Sequence, residues 1–314
     1  MYFSKNLKII LLILSIIIFH IRALYAFENK ILFKIDNEII TSVDIYEEIK
    51  FLKIFNPEIE NLNKSELFEI SKNSILRDKI KKVEIMNYVN ELKVDDKFLL
   101  NSIKNKYSRV GVNSLESFKV FLKDNNLNYD VVKEKLIIEL IWNDIIYQKF
   151  NKKVIIDKKK IRDEILKESQ KEKQRELLLS EIIFDVTNNS EINDKYEKIL
   201  LDIEKIGFKE TALIHSNSNS ASNGGSIGWV KEENLNPNIK KIISRLQPGE
   251  FSKPIRTSSG FIIIKIENER EYVSSLNLDD KVKEVIRFKV NNQLDQFSSM
   301  YFNKLKKDFI IYGL

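Results

Sequence analysis

Three glycines fall within five positions in "SNGGSIGWVK", residues 222–231, of a 314-residue chain that holds only eight. A glycine-rich loop of this kind is a candidate phosphate cradle, but the chain has no loop of the Walker type. The reading that remains is a tight turn. Gly224, Gly225 and Gly228 supply backbone conformations that Cβ-bearing residues resist, and Trp229 packs behind them rather than reacting. Other candidates for chemistry are few. Cysteine is absent, which excludes a disulfide framework and a lipid-modified N-terminal cysteine. His215, just ahead of the glycines, is the only histidine after residue 26. A surface or hydrogen-bonded loop position suits it better than a catalytic one. Nothing calls for a cofactor or a metal.

The elements that must position this turn are legible around it. Six of the eight glycines and three of the four prolines, Pro237, Pro248 and Pro254, lie between 207 and 260, so this region is a mixed unit with tight turns. "LLLSEIIF" (177–184) reads as a strand and "INDKYEKILLDIEKIG" (192–207) as a helix ending at Gly207. "NIKKIISRLQPGE" reads as a helix closed by a Pro-Gly turn. "KPIRTSSGFIIIKIENER" reads as two strands about Ser258-Ser259-Gly260.

Helical patterns flank that unit. "ILFKIDNEII" (31–40) predicts a hairpin turning at Asp36-Asn37, and Thr41 or Ser42 caps a helix rich in early acids, Asp44, Glu47 and Glu48. From about 65 to 169 the pattern is helical. Leu76, Ile80 and Val83 share a stripe; Asp95 or Asp96 caps a helix with Leu99, Ile103 and Tyr107 inside; Asn113 with Glu116 resembles a capping box ahead of Phe118, Phe121 and Leu122. Residues 128–150 predict a long helix with Val132, Leu136 and Leu140 in register and more apolar surface than one face needs. The charged stretch after 154 predicts an exposed helix or helical linker. At the C-terminus, Val282, Ile286, Val290, Leu294, Phe297, Tyr301 and Leu305 form an amphipathic stripe whose natural partner is the N-terminal helices. The fold class is α+β, a discontinuous helical body with an inserted α/β domain.

Residues 1–26 read as an export signal: Lys5 and Lys8 precede an apolar run from Ile9 to Phe19, with small residues Ala23 and Ala26 near a junction at Ala26-Phe27. An uncleaved signal anchor is the alternative, since Leu24 stands where a small residue is preferred. The run is shorter than the roughly 20 residues of an ordinary span. Of the formal charge of +6, three units lie in this segment, and no basic block is interleaved with aromatics, so nucleic acid is not an expected partner.

The combined marks NGG-x-x-GW, L-x-x-GE-x-S-x-P-I-R-T and SGF-x-I-x-K resemble the parvulin type of peptidyl-prolyl isomerase domain. Together with "KIDNEIITSVDI" and the C-terminal helix, the whole resembles the SurA type of periplasmic chaperone, although that type as usually described carries two parvulin domains and this chain has room for one. The resemblance implies a signal peptide at 1–26, a helical chaperone domain at 27–172, a parvulin-like domain at 173–271 and a C-terminal helix at 272–314. It also assigns site positions. The two facing histidines of active parvulins match Glu181 and Ile262 here, the Cys/Asp position matches Asn217, and the serine survives as Ser259. The proline-pocket positions match Leu235 and Ile239, with Phe261 adding an aromatic. With both histidines replaced, the resemblance implies weak or lost isomerase activity. The implied function is ATP-independent binding of unfolded polypeptides, outer-membrane protein precursors among them, in the periplasm, without stable membrane insertion after signal cleavage. A groove between the helical body and the parvulin-like unit is the expected binding place. An active prolyl isomerase for exported proteins is the alternative.

Overall fold

The structure, a computed structural model, describes residues 29–168, 174–186, 188–272, 277–309 and 311–313. The expected signal segment at 1–26 and the expected domain boundary at 172/173 lie outside the described residues. Among the described residues no helix is long and apolar enough to cross a membrane.

The chain opens with the hairpin β1 (Ile31–Ile35) and β2 (Glu38–Thr41), turned at Asp36, whose φ of 50° is tolerated by Asp in tight turns. Helix α1 (Ser42–Phe55) begins in a capping box in which Thr41 and Asp44 satisfy each other's backbone amides. Asn63 caps α2 (Lys64–Ile85) in the same way with Glu66, and Asp95 caps α3 (Asp96–Tyr107). The cap of α4 (Leu115–Asp124) is Ser114, not Asn113. Ser114 is extended and its hydroxyl accepts from Ser117 N at 3.0 Å, so the helix starts one residue later than the Asn113–Glu116 spacing predicts. Asn128 caps α5 (Tyr129–Phe150). These helices close a core around Ile80, Ile103, Phe118, Leu136 and Trp142. Leu140 stays at the margin of that core, while Ile137, Ile138 and Ile141 enter it, because α5 packs on several neighbours at once.

Helix α6 (Lys158–Glu168) is not a free linker. Ile161 and Ile165 are buried against Val285. Charge composition hid this, since only two apolar residues per two turns are needed to seat so short a helix.

The inserted domain is one antiparallel sheet with strand order β4-β3-β6-β5, from β3 (Gln174–Phe184), β4 (Ser226–Lys231), β5 (Ile255–Thr257) and β6 (Gly260–Tyr272). Alternation along the strands divides its two faces. Ile182, Phe184 and Ile263 meet α7 (Ile192–Ile206) and α8 (Phe208–His215). Leu179, Ile183, Ile262 and Ile264 line the other face beside α9 (Pro237–Ile243). Both faces are covered, which is why β6 is almost continuously β-branched.

The domain is docked. Leu213 of α8 is fully buried among Leu52, Ile59, Leu67 and Ile70 of the helical body. Arg77 donates through Nη1 to the carbonyl of Leu213 (3.2 Å), and Lys205–Glu66 and Lys209–Glu58 pair across the contact.

Helix α10 (Leu278–Asp308) returns to the helical body: Phe297 stacks on Phe150 and Tyr301 on Trp142. Its predicted stripe is only half-buried, however. The most buried residues include Val285, Ser298, Ser299, Phe302 and Asn303, because the helix is wedged between two bodies rather than laid on one. After it, β7 (Ile311–Gly313) pairs with β1, an addition the sequence pattern did not announce.

Truncating Leu213 to Ala is expected to weaken docking by about 2–4 kcal/mol. Urea unfolding followed by circular dichroism checks this: the variant separates into two transitions where the parent shows more nearly one.

Candidate functional site

The glycine turn and the candidate site are one construction. Glu181 N donates to the carbonyl of Gly225 at 2.8 Å, so the turn lies directly on the backbone of β3. Gly225 has a φ of 76°, and a Cβ there would stand 2.2 Å from the carbonyl oxygen of Glu181. Only glycine permits that approach. The turn in turn holds the short helical segment Asn219–Asn223 against the mouth of the sheet.

On the face away from α7 and α8 the sheet forms the floor of a cavity of about 370 Å³. Strand parity puts Leu179, Glu181 and Ile183 there, and the register sets Glu181 opposite Ile264 and Ile183 opposite Ile262. Leu235 and Ile239 form an apolar wall, and Ser259, within 3.1 Å of the Thr257 hydroxyl, marks one end. The opposite wall is α10, through Phe288, Asn292, Asp295, Gln296 and Ser299. That helix is tied across the cleft by Lys231–Glu284 (2.6 Å), Asn219–Asp295 (2.9 Å) and Ser258–Gln296 (3.2 Å).

Among the described residues Glu181 is the one titratable group on the cleft floor. Burial pushes its carboxyl up to about 7, opposed by hydroxyl donors and reinforced by the nearby Asp295. Ser220 donates to it at 2.8 Å, and the hydroxyls of Ser220, Ser218 and Ser216 form a chain at 2.7 and 2.9 Å that ends on Ile183 N. Asp295 is likewise raised by burial and held down by its bond from Asn219. The cleft therefore offers apolar walls, hydroxyls and a carboxyl that is partly protonated near neutrality.

Of the residues assigned from the sequence, Glu181, Leu235, Ile239, Ser259 and Ile262 converge on this cavity. Asn217 does not. It lines a small neighbouring pocket with Arg77, Ile214 and Phe302, and Ser218, one residue on, turns into the cleft instead. Phe261 is also elsewhere: strand parity sends it to the opposite face, where it stacks on Phe184 with ring centroids 5.7 Å apart. His215 is the last residue of α8, buried, with Nε2 2.6 Å from Asp202 Oδ2 and Nδ1 3.4 Å from Lys195; burial lowers its pKa. Trp229 lies under the Arg270 guanidinium, 4.1 Å from the ring centroid, away from the cavity. The residues missed were Ser218, Asn219, Ser220 and the α10 wall. The alternating serines of "HSNSNSAS" were a signal for the first group.

A second cavity, of about 420 Å³, occupies the seam between the helical body and the Asn219 segment. It shares Ser218, Asn219 and Asp295 with the first. Its walls carry Arg77, Asp78, Lys81, Lys106, Lys135 and Glu139 over an apolar floor, so the expected groove between the two units is more charged than apolar. Among the described residues no group of three or more His, Asp or Glu is arranged to hold a metal.

Residues 178–268 match the rotamase family, the PPIC-type PPIASE domain. The chain is 26% identical over 203 residues to chaperone SurA of Hahella chejuensis, covering 62% of this chain and 46% of that one. It is 27% identical over 215 residues to foldase protein PrsA of Staphylococcus epidermidis, covering 66% and 59%. The chain thus spans about half the length of the curated relatives it matches. Among solved structures, the SurA-like chaperones PEB4 and Cj1289 of Campylobacter jejuni give a match at 17% identity and a TM-score of 0.37, covering 91% of this chain and 99% of that one. The chain is thus similar to SurA and PrsA over part of their length, and its residues 178–268 match a parvulin-type rotamase domain within an α+β fold.

Because Glu181 holds its proton to about pH 7 in the folded state but releases it near 4.5 when unfolded, folding stability falls as pH rises through that window. Glu181→Gln is expected to stabilise the protein by about 1–2 kcal/mol at pH 8, after discounting for its partial exposure to the cavity, and by nothing at pH 4. Urea titrations at the two pH values check it.

Proposed function

We propose that this protein is an ATP-independent chaperone that holds unfolded polypeptides outside the cytoplasm, in the periplasm, with outer-membrane protein precursors as clients and an isomerase domain of weak or lost activity. The observation that carries this reading is the composition of the cleft. Rotating an X-Pro bond faces a barrier of about 18–20 kcal/mol, and lowering it requires a proline pocket together with groups that favour the twisted amide. Leu235 and Ile239 supply an apolar wall of the kind a proline pocket needs, but the positions matching the two family histidines hold a carboxyl and an isoleucine, and α10 lies along the opening. Such a cleft is better suited to gripping an apolar side chain of an extended chain than to polarising its amide. The similarity to chaperone SurA and to foldase PrsA supports the same reading.

A second reading is an active prolyl isomerase. The observation favouring it is Glu181 itself, which in its protonated form is able to donate a hydrogen bond in the pocket, with Ser259 at one end.

Two assays separate the readings. At stoichiometric concentration and without nucleotide, the protein is expected to suppress aggregation of an unfolded β-barrel protein; failure to do so sinks the chaperone proposal. On X-Pro peptides in a protease-free assay, turnover is expected to stay near background. Turnover well above background, lost in Leu235→Ala, puts the isomerase first.

A further inference from the structure

Two cations of the seam cavity, Arg77 and Lys81, make no ion pair among the described residues. Arg77 and Lys81 stand one turn apart on α2 and so share a face. Their neighbours are matched: Lys135 pairs with Glu48 (2.8 Å) and Asp78 (2.5 Å), and Lys106 with Glu139 (2.6 Å). Lys81 has no carboxylate within ion-pair distance among the described residues, and its ammonium rests 5.5 Å from the centroid of the Trp142 ring. Arg77 spends Nη1 on the carbonyls of Leu213 and Ser216, while its Nη2 is buried without a hydrogen-bond partner. Burial depresses the pKa of both cations, against the opposing charges of Asp78 and Glu48 near Arg77 and of Glu139 and Asp78 near Lys81. Asp295, across the cavity on α10, accepts its hydrogen bond from Asn219 and feels the charge of Lys81 without pairing with it.

We propose that this cavity is a carboxylate-binding subsite, in which Arg77 and Lys81 receive one carboxylate of an extended polypeptide while the apolar floor receives a side chain beside it. The proposal rests on the chaperone reading for the identity of its ligand. A volume of about 420 Å³ admits one or two residues and excludes folded structure. Leu52, Leu136, Ile146 and Leu294 supply the floor, and the exposed amides of Asn143 and Asn291 stand at the walls to meet a backbone. A single negative charge fits better than a phosphate dianion, because Asp78, Glu139 and Asp295 share the same walls. An acidic side chain and a free C-terminus are the two sources of such a carboxylate.

The Trp142 indole is a built-in reporter, since it lies under Lys81 and donates to Ser298 at 2.8 Å. In the full chain, the indole proton signal, assigned with Trp142→Phe, is followed while N-acetyl-leucine or its uncharged amide is added. The acid is expected to shift it saturably, the amide to bind roughly tenfold more weakly or worse, and inorganic phosphate to bind no better than the amide. Lys81→Met is expected to lose the acid's advantage with its melting temperature held, and Lys81→Arg to restore it; if Lys81→Met is unstable, Lys81→Gln takes its place. Two peptides, one ending in a free carboxylate and one amidated with an internal Glu, then tell the two sources apart. Equal titration by acid and amide, titration by neither, tighter binding of phosphate, or an unchanged response in the Lys81 variants overturns the proposal. A protein that suppresses aggregation yet shows no acid–amide difference keeps the chaperone reading and loses this site. One that binds N-acetyl-leucine selectively but protects no unfolded client keeps the site and loses the chaperone reading.

Discussion

A hydrogen-bond chain joins the three parts of this molecule at one point. Trp142 of the helical body donates to Ser298 of α10, Ser298 donates to Asn219 of the inserted domain at 3.0 Å, and Asn219 donates back to Asp295 of α10. The indole and the serine are both buried, so each donor and acceptor removed from water must be matched or costs about 1–3 kcal/mol. This fixes α10 as a shared wall. The same helix then separates two cavities, one belonging to the rotamase domain and one to the seam, and both depend on its position for their shape.

Electrostatics give those cavities their character. The seam holds several charges of each sign where water is partly excluded, and the cleft holds Glu181 and Asp295 near each other, each with its pKa raised by burial. Arrangements of this kind lower stability relative to a packed apolar seam. Their retention is understandable where an extended chain, with alternating amides, carboxylates and apolar side chains, has to be held without being gripped tightly. The apolar wall at Leu235 and Ile239 and the charged wall at Arg77 and Lys81 offer such a chain two unlike contacts on either side of one short loop.

Much of this was legible in the sequence, and the gaps have physical causes. Helix caps at Thr41 and Asp95, each read with its neighbour as the alternative, and the strands about Gly260 follow from local rules, since each depends on a few adjacent residues. The glycine turn was recognisable, though not its reason, which is the carbonyl of Glu181 a fraction of a side chain away. Asn217 and Phe261 were misplaced by a single residue's worth of direction: neighbouring positions in a loop or strand face opposite ways, and spacing within a motif does not resolve which. The α10 wall was invisible for a different reason. An amphipathic stripe says that a partner exists, and here the polar residues Asn292, Asp295 and Ser299, on the helix face away from the stripe, meet a second one.

The central claim is that unfolded chains are held where the helical body, α10 and the rotamase domain meet. A photo-cross-linking residue placed at Asn291, an exposed position on the seam cavity, tests it against one placed at Asp36 in the β1–β2 turn. With an unfolded β-barrel protein as client, the account predicts strong cross-links from 291 and background from 36. Equal labelling at both positions, or labelling from 36 alone, contradicts it.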